Sequence, residues 1–413
     1  MKKVLLVLFL SSVLLNAQTV QYTMPGEDMQ HEGTWLQWPH NFTYPPYHQD
    51  DNEPAWLEMV SALITSENVH IVVYDANEKT HVQQALATAN ISLTNIDFFI
   101  HPNDDYWVRD SGPIFVYDAN NELTILDFGF NGWGGDTQYS LCDSIPTLLA
   151  SDLGIPLVDL SAMVLEGGAV EIDGHGSVML TRSSVTAADR NPNLTETQIE
   201  NYLTTYLGLT NFIWLDGQFG GNLDVTDMHI DGFAKFVDSS TIITFNNADL
   251  LYWGLSTSDI ATLTSATNIN GTPYTYVTLP LTQNDVVTTW GNNIQFKGSY
   301  ANYYVANTVV LVPTYNDPND ASALSILQGL YSSRAVVGID SRNLYFNGGM
   351  IHCVTQQQPV SLTATSIFEN QINDKKLVRV VDVLGRTVNK MKNKILFYIF
   401  ADGTVEKKMI INE

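Results

Sequence analysis

Two cysteines, Cys142 and Cys353, are all that 413 residues contain. One disulfide at most can form, which excludes a cystine-stapled scaffold. Basic residues are also scarce: 19 Lys and Arg face 44 Asp and Glu, for a net charge of -25. The shortage is sharper within residues 18–360, where eight basic residues face 38 acidic ones. Such a surface repels nucleic acid and anionic membranes and attracts cations, although the same charge also keeps a protein soluble. No apolar run reaches transmembrane length. No Gly-rich phosphate loop follows a strand, no Gly-x-Ser-x-Gly elbow occurs, and no cluster has metal-ligand spacing. No cofactor and no metal are expected.

What is present divides the chain in three. Met1 to Ala17 reads as a signal peptide, with Lys2 and Lys3, an apolar run from Val4 to Leu15, and an acceptable cleavage site before Gln18. The protein is therefore expected to be exported. Residues 18–360 read as one α/β domain. Strand-like runs recur at His70–Tyr74, Ile114–Tyr117, Leu123–Phe128, Ala169–Ile172, Val178–Thr181, Phe233–Val237, Ile242–Phe245, Val305–Val312 and Ile351–Thr355. Helical spacing lies between them, with a capping box at Thr195 and Gln198 and an expected N-cap at Asp320. After Pro359 a Ser/Thr-rich linker leads into a small basic β module over 361–413. Its runs are Leu377–Val383, Ile395–Phe400 and Lys408–Ile411, with an Asp402-Gly403 hairpin turn.

Cys353 stands out in this setting. It lies in Asn347-Gly-Gly-Met-Ile-His-Cys353-Val-Thr-Gln356, after a Gly-Gly turn and at the start of a short apolar strand. An unpaired thiol there is a candidate nucleophile. A free thiol has a pKa of about 8.5, so a base or a positive neighbour must activate it. His229 is the candidate acid and base, because a strand would set His229 and Asp231 on one face and Asp227 lies close before them. The other histidines, His31, His40, His48, His70, His81, His101, His175 and His352, read as structural. His352 would point to the strand face opposite Cys353. Asp110 follows Tyr106-Trp107-Val108-Arg109 and enters an apolar run. A carboxylate beside an aromatic ring there suits a planar cation, and the plainer reading is an Arg109–Asp110 ion pair. Two carboxylates facing one thiol would grip a guanidinium from both sides. They would oppose thiolate formation in the empty site, so the cationic substrate would itself promote deprotonation.

A weaker regularity supports a shared centre. Asp110, Glu166, His229, Asn302 and Cys353 each stand just before or at the start of an apolar run, 51 to 73 residues apart. Five similar units would each deliver one polar group to the middle of a radially repeated fold.

In order along the chain, Trp107-Val-Arg-Asp-Ser-Gly-Pro113, Phe130-Asn-Gly-Trp-Gly-Gly135, Leu165-Glu-Gly-Gly168, His229-Ile-Asp231, Ser299-Tyr-Ala-Asn302 and Gly348-Gly-Met-Ile-His-Cys353-Val-Thr-Gln-Gln357 resemble the agmatine deiminase / bacterial-type peptidylarginine deiminase family. The resemblance covers roughly residues 24–359. It implies a pentein fold, a five-bladed pseudo-symmetric α/β propeller, and a guanidino-group hydrolase that needs no cofactor. Cys353 would attack the guanidinium carbon, Asp110 and Asp231 would hold its nitrogens, and His229 would move protons. Glu166 would support His229 or the substrate, and Asn302 would position the reacting groups. Trp107, Trp133 and Asp136 would line the substrate site.

Peptidylarginine enzymes of this type carry arginines for a peptide carboxylate in the segment that matches Phe130–Thr137. Here that segment has none. Agmatine, with N-carbamoylputrescine as product, is therefore the expected substrate, and a secreted enzyme making citrulline from peptidyl-arginine or arginine is the alternative. Agmatine enzymes usually carry a glycine-rich Thr-x-Gly-His run where this chain has Thr226-Asp-Met-His229. The tail resembles a type IX secretion C-terminal sorting domain, which implies that secretion machinery as a partner. A non-catalytic binder of cationic ligands is a further reading, which the intact thiol disfavours. A homo-oligomer is compatible with the sequence but not required by it.

Overall fold

The computed structural model describes residues 21–45, 47–218, 224–362, 377–381, 386, 395–400 and 405–409. The expected signal peptide lies outside the described residues. The chain divides into two compact units, 1–360 and 361–413.

Five sheets of the first unit share one plan. A short inner strand pairs antiparallel with a longer central strand, a helix crosses over, and a third strand pairs parallel to the central one. In blade I these are Ile114–Asp118, Leu123–Gly129 and Leu157–Val164, with helix Ile145–Leu153. Blade II uses Glu171–Ile172, Ser177–Thr181 and Asn211–Leu215, with helix Glu196–Leu207. Blade III uses Ala234–Asp238, Thr241–Phe245 and Thr275–Leu279, with helix Thr257–Thr264. Blade IV uses Tyr304–Val305, Val309–Thr314 and Ala335–Asp340, with helix Asp320–Leu330. Blade V joins both ends of the unit. Gln356–Pro359 pairs antiparallel with His31–Gln37, which runs parallel to Asn68–Val73 and is followed by helix His48–Leu63. This is the pentein fold, and a strand pairing across more than 300 residues completes it.

Local sequence explains the plan. Central strands such as Ser177–Thr181 are buried at every position, so they read as continuous apolar runs instead of alternating ones. The helix over blade II buries Ile199, Leu203 and Leu207, spaced by four, and its Thr195–Gln198 capping box forms as expected.

Four expected elements differ. The run Val305–Val312 is a hairpin, Tyr304–Val305 with Val309–Thr314, because an inner and a central strand follow each other with only a tight connection. Ile351–Thr355 is not a strand: a single 3-10 turn spans His352–Val354 and the strand starts at Gln356. Asp320 is the first helical residue and Asn319 the N-cap, since the Asp320 carboxylate instead accepts from the Tyr315 and Asp317 amides. The second unit has one antiparallel sheet ordered Leu377–Val381, Ile395–Phe400, Val405–Met409, so its third strand begins earlier than expected. The Asp402-Gly403 turn lies outside the described residues.

Candidate active site

A single helical turn stands immediately before the inner strand in four blades: Val108–Ser111, Gly167–Ala169, Ile230–Gly232 and His352–Val354. Each turn lifts backbone out of the ladder and leaves a polar side chain free to reach the middle. Asp110, Asp231 and Cys353 sit within such turns, while Glu166 and His229 occupy the position just before one. Asn302 precedes the inner strand of blade IV without a turn. The reading of His229 and Asp231 as strand neighbours is therefore corrected. The turn, not a pleat, brings both inward.

The convergence is tightest around Gly168. A Cβ added there would lie 2.6 Å from His229 Nδ1, 2.9 Å from Asp110 Oδ1 and 3.0 Å from Asp231 Oδ2. Only glycine leaves that space to the three functional groups. The Gly168 amide also donates to Asp110 Oδ1 at 3.0 Å.

Cys353 Sγ lies 3.3 Å from Asn302 Nδ2 and 3.9 Å from Asp231 Oδ2. Asn302 also accepts the His352 amide on Oδ1 at 2.9 Å, so one side chain holds both the turn and the thiol. Neither cysteine is in a disulfide, and Cys142 is buried beside Asp105. The glycines before the nucleophile have a steric role. A Cβ at Gly349 would fall 2.3 Å from the Trp107 ring, so that ring packs directly on the loop carrying Cys353.

His229 Nε2 contacts Glu166 Oε2 at 2.7 Å, and Nδ1 lies 3.7 Å from Asp110 Oδ1. Glu166 Oε1 accepts from Arg190 Nε at 2.9 Å. Arg190 also meets Asp227 at 2.7 Å and Asp189 at 3.2 Å. On the other side, His352 Nδ1 contacts Asp231 Oδ2 at 2.8 Å, and its Nε2 contacts Glu27 Oε2 at 2.7 Å. Glu27 in turn faces Lys235 at 3.1 Å and Arg109 at 3.6 Å. Arg109 thus pairs with Glu27, not with Asp110. The expectation that His352 points to the face opposite Cys353 is corrected, because a 3-10 turn, not a strand, sets its direction toward Asp231.

Burial and charge set the titration of these groups. Burial raises Asp110 to about 6 against the opposing pull of His229. Burial also acts on Asp231, but the hydrogen bond and charge of His352 outweigh it and hold this carboxyl below its ordinary range. Burial pulls His229 down, yet Asp110, Glu166 and Asp231 together raise it to about 9. Burial, then Asp231 and Asp110, push the Cys353 thiol well above its ordinary value. The centre thus sets one thiol and one imidazole among buried carboxylates, with the thiol pushed up and the imidazole held toward its charged form.

Trp133 donates from Nε1 to Asp110 Oδ2 at 3.0 Å. It does so from a left-handed backbone, φ 54, a conformation that costs a non-glycine residue about 1–3 kcal/mol. Asp136 is exposed at the end of the same loop, so the structure does not bring it into the buried centre. Asp227 and Met228 also have positive φ, 54 and 70, and Met228 stands where agmatine enzymes were expected to have glycine. The backbone keeps the glycine-like shape while Asp227 anchors Arg190. A small cleft of about 20 Å³ lined by Glu27, Glu171, Asp173, Lys235 and Tyr331 reaches neither Cys353 nor His229 and meets the centre only through Glu27 and Lys235. Among the described residues no group of His, Cys, Asp and Glu is arranged to hold a metal ion, and no helix is long and apolar enough to cross a membrane.

Sequence reasoning missed Glu27, Arg190, Lys235 and Gly168 as parts of the site. A signal existed for two of them. Residues 18–360 contain only eight basic residues, and three of these, Arg109, Arg190 and Lys235, are buried. Scarce charges hidden in an acidic body mark where carboxylates converge.

Fold and centre together define a pentein enzyme of the agmatine deiminase type. The profile of the Porphyromonas-type peptidyl-arginine deiminase family matches residues 23–359, and the chain belongs to that family. A Selenomonas ruminantium protein, provisionally named an agmatine deiminase, is 30% identical over 360 residues, covering 82% of this chain and 96% of the relative. A crystal structure of a Porphyromonas gingivalis protein, provisionally named an arginine deiminase, is 32% identical with a TM-score of 0.71, covering 83% of this chain and 99% of that one. The agmatine deiminase of Enterococcus faecalis is 25% identical with a TM-score of 0.72, covering 83% and 97%.

Proposed function

We propose that this protein hydrolyses the guanidino group of agmatine to N-carbamoylputrescine and ammonia through a thiouronium on Cys353. The observation that carries the reading is one thiol 3.9 Å from the Asp231 carboxylate, beside a centre where Asp110, Asp231 and the His229 imidazole converge on Gly168. A bound guanidinium offsets the negative field of Asp110 and Asp231, which lowers the cost of ionising Cys353, whose proton passes to solvent. The thiolate sulfur then bonds to the guanidinium carbon. His229 gives its proton to the departing nitrogen, the carbon–nitrogen bond breaks, and ammonia leaves. Glu166 occupies Nε2, so Nδ1 is the atom that exchanges protons with substrate. Water then attacks the thiouronium carbon while His229 takes its proton. The carbon–sulfur bond breaks, and the ureido product leaves with the thiolate restored.

Substrate choice follows from the loop at Asn131–Asp136. Arg190 lies directly behind it, since a Cβ at Gly134 would come within 2.7 Å of Nη1. That guanidinium is taken by Glu166, Asp227 and Asp189, which leaves no free cation there for a substrate carboxylate. An amine-ended substrate fits this acidic rim better than an acid-ended one. The second reading, a peptidyl-arginine substrate, is favoured by the family profile. Agmatine, free arginine and peptides with internal or C-terminal arginine, scored for ureido product, decide between them. Preference for the C-terminal arginine peptide overturns the agmatine assignment.

The same reading assigns residues 1–17 to a cleaved export signal, 18–360 to catalysis and 361–413 to type IX sorting. It draws on the basic start and apolar run of the leader, and on the basic β-rich tail. Mass measurement of the protein recovered outside the cell tests it; an intact leader overturns the export assignment.

A further inference from the structure

We propose that His352 is a positioning residue: bridged between Glu27 and Asp231, it fixes the Asp231 carboxylate where it grips a guanidinium beside Cys353. The inference rests on the guanidino reading above and adds to it a second histidine with a different task.

Four contacts immobilise His352. Its amide donates to Asn302 Oδ1 at 2.9 Å and its carbonyl accepts from Arg109 Nε at 3.3 Å. Its ring spans 2.7 Å to Glu27 and 2.8 Å to Asp231. With a carboxylate oxygen on each ring nitrogen, both nitrogens act as donors. The ring therefore cannot rotate without breaking a charge-assisted bond at each end. Glu27 is itself fixed by Lys235, Arg109 and the Val305 amide, so the bridge ends on a buried anchor.

The charged groups facing Asp231 are His352, His229, Arg109, Asp110 and the Cys353 thiol. Of these, His352 makes the short hydrogen bond to the carboxylate, at 2.8 Å, while the Cys353 thiol donates a longer one at 3.9 Å. Burial by itself would push Asp231 upward, as it does Asp110. Against that burial, the hydrogen bond and charge of His352 act most strongly to keep Asp231 ionised, with His229 and Arg109 adding to them.

The test separates the two ring nitrogens. Glutamine at 352 can reach toward Glu27 in place of Nε2 but lacks the donor to Asp231; asparagine does the reverse. H352Q lowers kcat/KM at pH 7 by about 10- to 100-fold, the worth of a hydrogen bond to a charged group. Its acid limb moves to higher pH and steepens from one proton toward two, whereas H352N keeps the original limb. A uniform loss at every pH, with the limb unmoved in H352Q, overturns the proposal. If H352Q does not fold, E27Q carries the test, with the same direction and a smaller shift expected and an unmoved limb overturning the role.

A second readout needs no turnover. Agmatine binding to C353S, by calorimetry in two buffers at pH 6.5, releases more protons when H352Q is added, because Asp231 must first ionise. Equal proton release overturns the proposal. A wild type that releases no ammonia from any guanidino compound defeats the functional reading instead, and the calorimetry still decides the role of His352.

Discussion

Two histidines flank the thiol, and their surroundings match group for group. His229 lies between Glu166 and Asp110, and Arg190 backs Glu166. His352 lies between Glu27 and Asp231, and Lys235 with Arg109 backs Glu27. In each case Nε2 takes the glutamate at 2.7 Å. The difference is at Nδ1. The gap to Asp231 is 2.8 Å, a hydrogen bond, but the gap to Asp110 is 3.7 Å, too long for one. A closed contact holds a proton and fixes a carboxylate. An open one leaves the proton free to move to a reacting nitrogen. On the proposed reading the same set of residues serves anchoring on one side and proton transfer on the other, with less than an ångström between the two gaps.

Breaking the open side has the largest expected effect. H229Q lowers kcat by about 10²- to 10⁴-fold, the range for loss of a general acid–base group, with KM little changed. H352Q acts instead through kcat/KM and the acid limb. Steady-state kinetics on both variants checks this, and identical profiles would dissolve the comparison. Next in size is the cation behind His229. R190M leaves Glu166 buried with His229 as its remaining partner and costs about 1–3 kcal/mol of stability, read as a lower urea midpoint. A midpoint equal to wild type contradicts the claim that Arg190 compensates that charge.

The pH profile sharpens the contrast. Raising the pH through about 6 ionises Asp110 and increases kcat/KM. Raising it through about 9 removes the His229 proton needed by the leaving ammonia, so the rate falls. A bell with limbs near these values is expected for the wild type, and R190M should disturb the alkaline limb alone. The smallest change is W133F, which removes one hydrogen bond from Asp110. It should raise KM by roughly threefold to tenfold, at about 1 kcal/mol per bond, with kcat nearly constant. An unchanged KM would show that the loop strain serves another end.

Much of the site was legible along the chain because its residues recur at the entry of each structural unit. Cys353, His229, Asp110, Asp231, Glu166 and Asn302 all reach the centre, and Trp133 and Trp107 sit against them. Asp136 does not, for its loop ends in solvent. The direction of His352 was not legible for a local reason. Alternation along a strand would have turned it away from Cys353, but a single 3-10 turn replaces the strand. Glu27, Lys235 and Arg190 carry no motif, because buried charges are recruited by partners far along the chain.

The sequence by itself determined the five apolar units, the unpaired thiol, the acidic body with its eight basic residues, and the β-rich tail. These follow from composition, period and turn residues, which act over short stretches of chain. Only the tertiary structure decided which carboxylate each histidine meets, which basic residue is buried behind it, and how wide each gap is. Those depend on contacts between segments up to 325 residues apart. In this buried site the two gaps differ by just under an ångström, enough to close a hydrogen bond on one side and open it on the other.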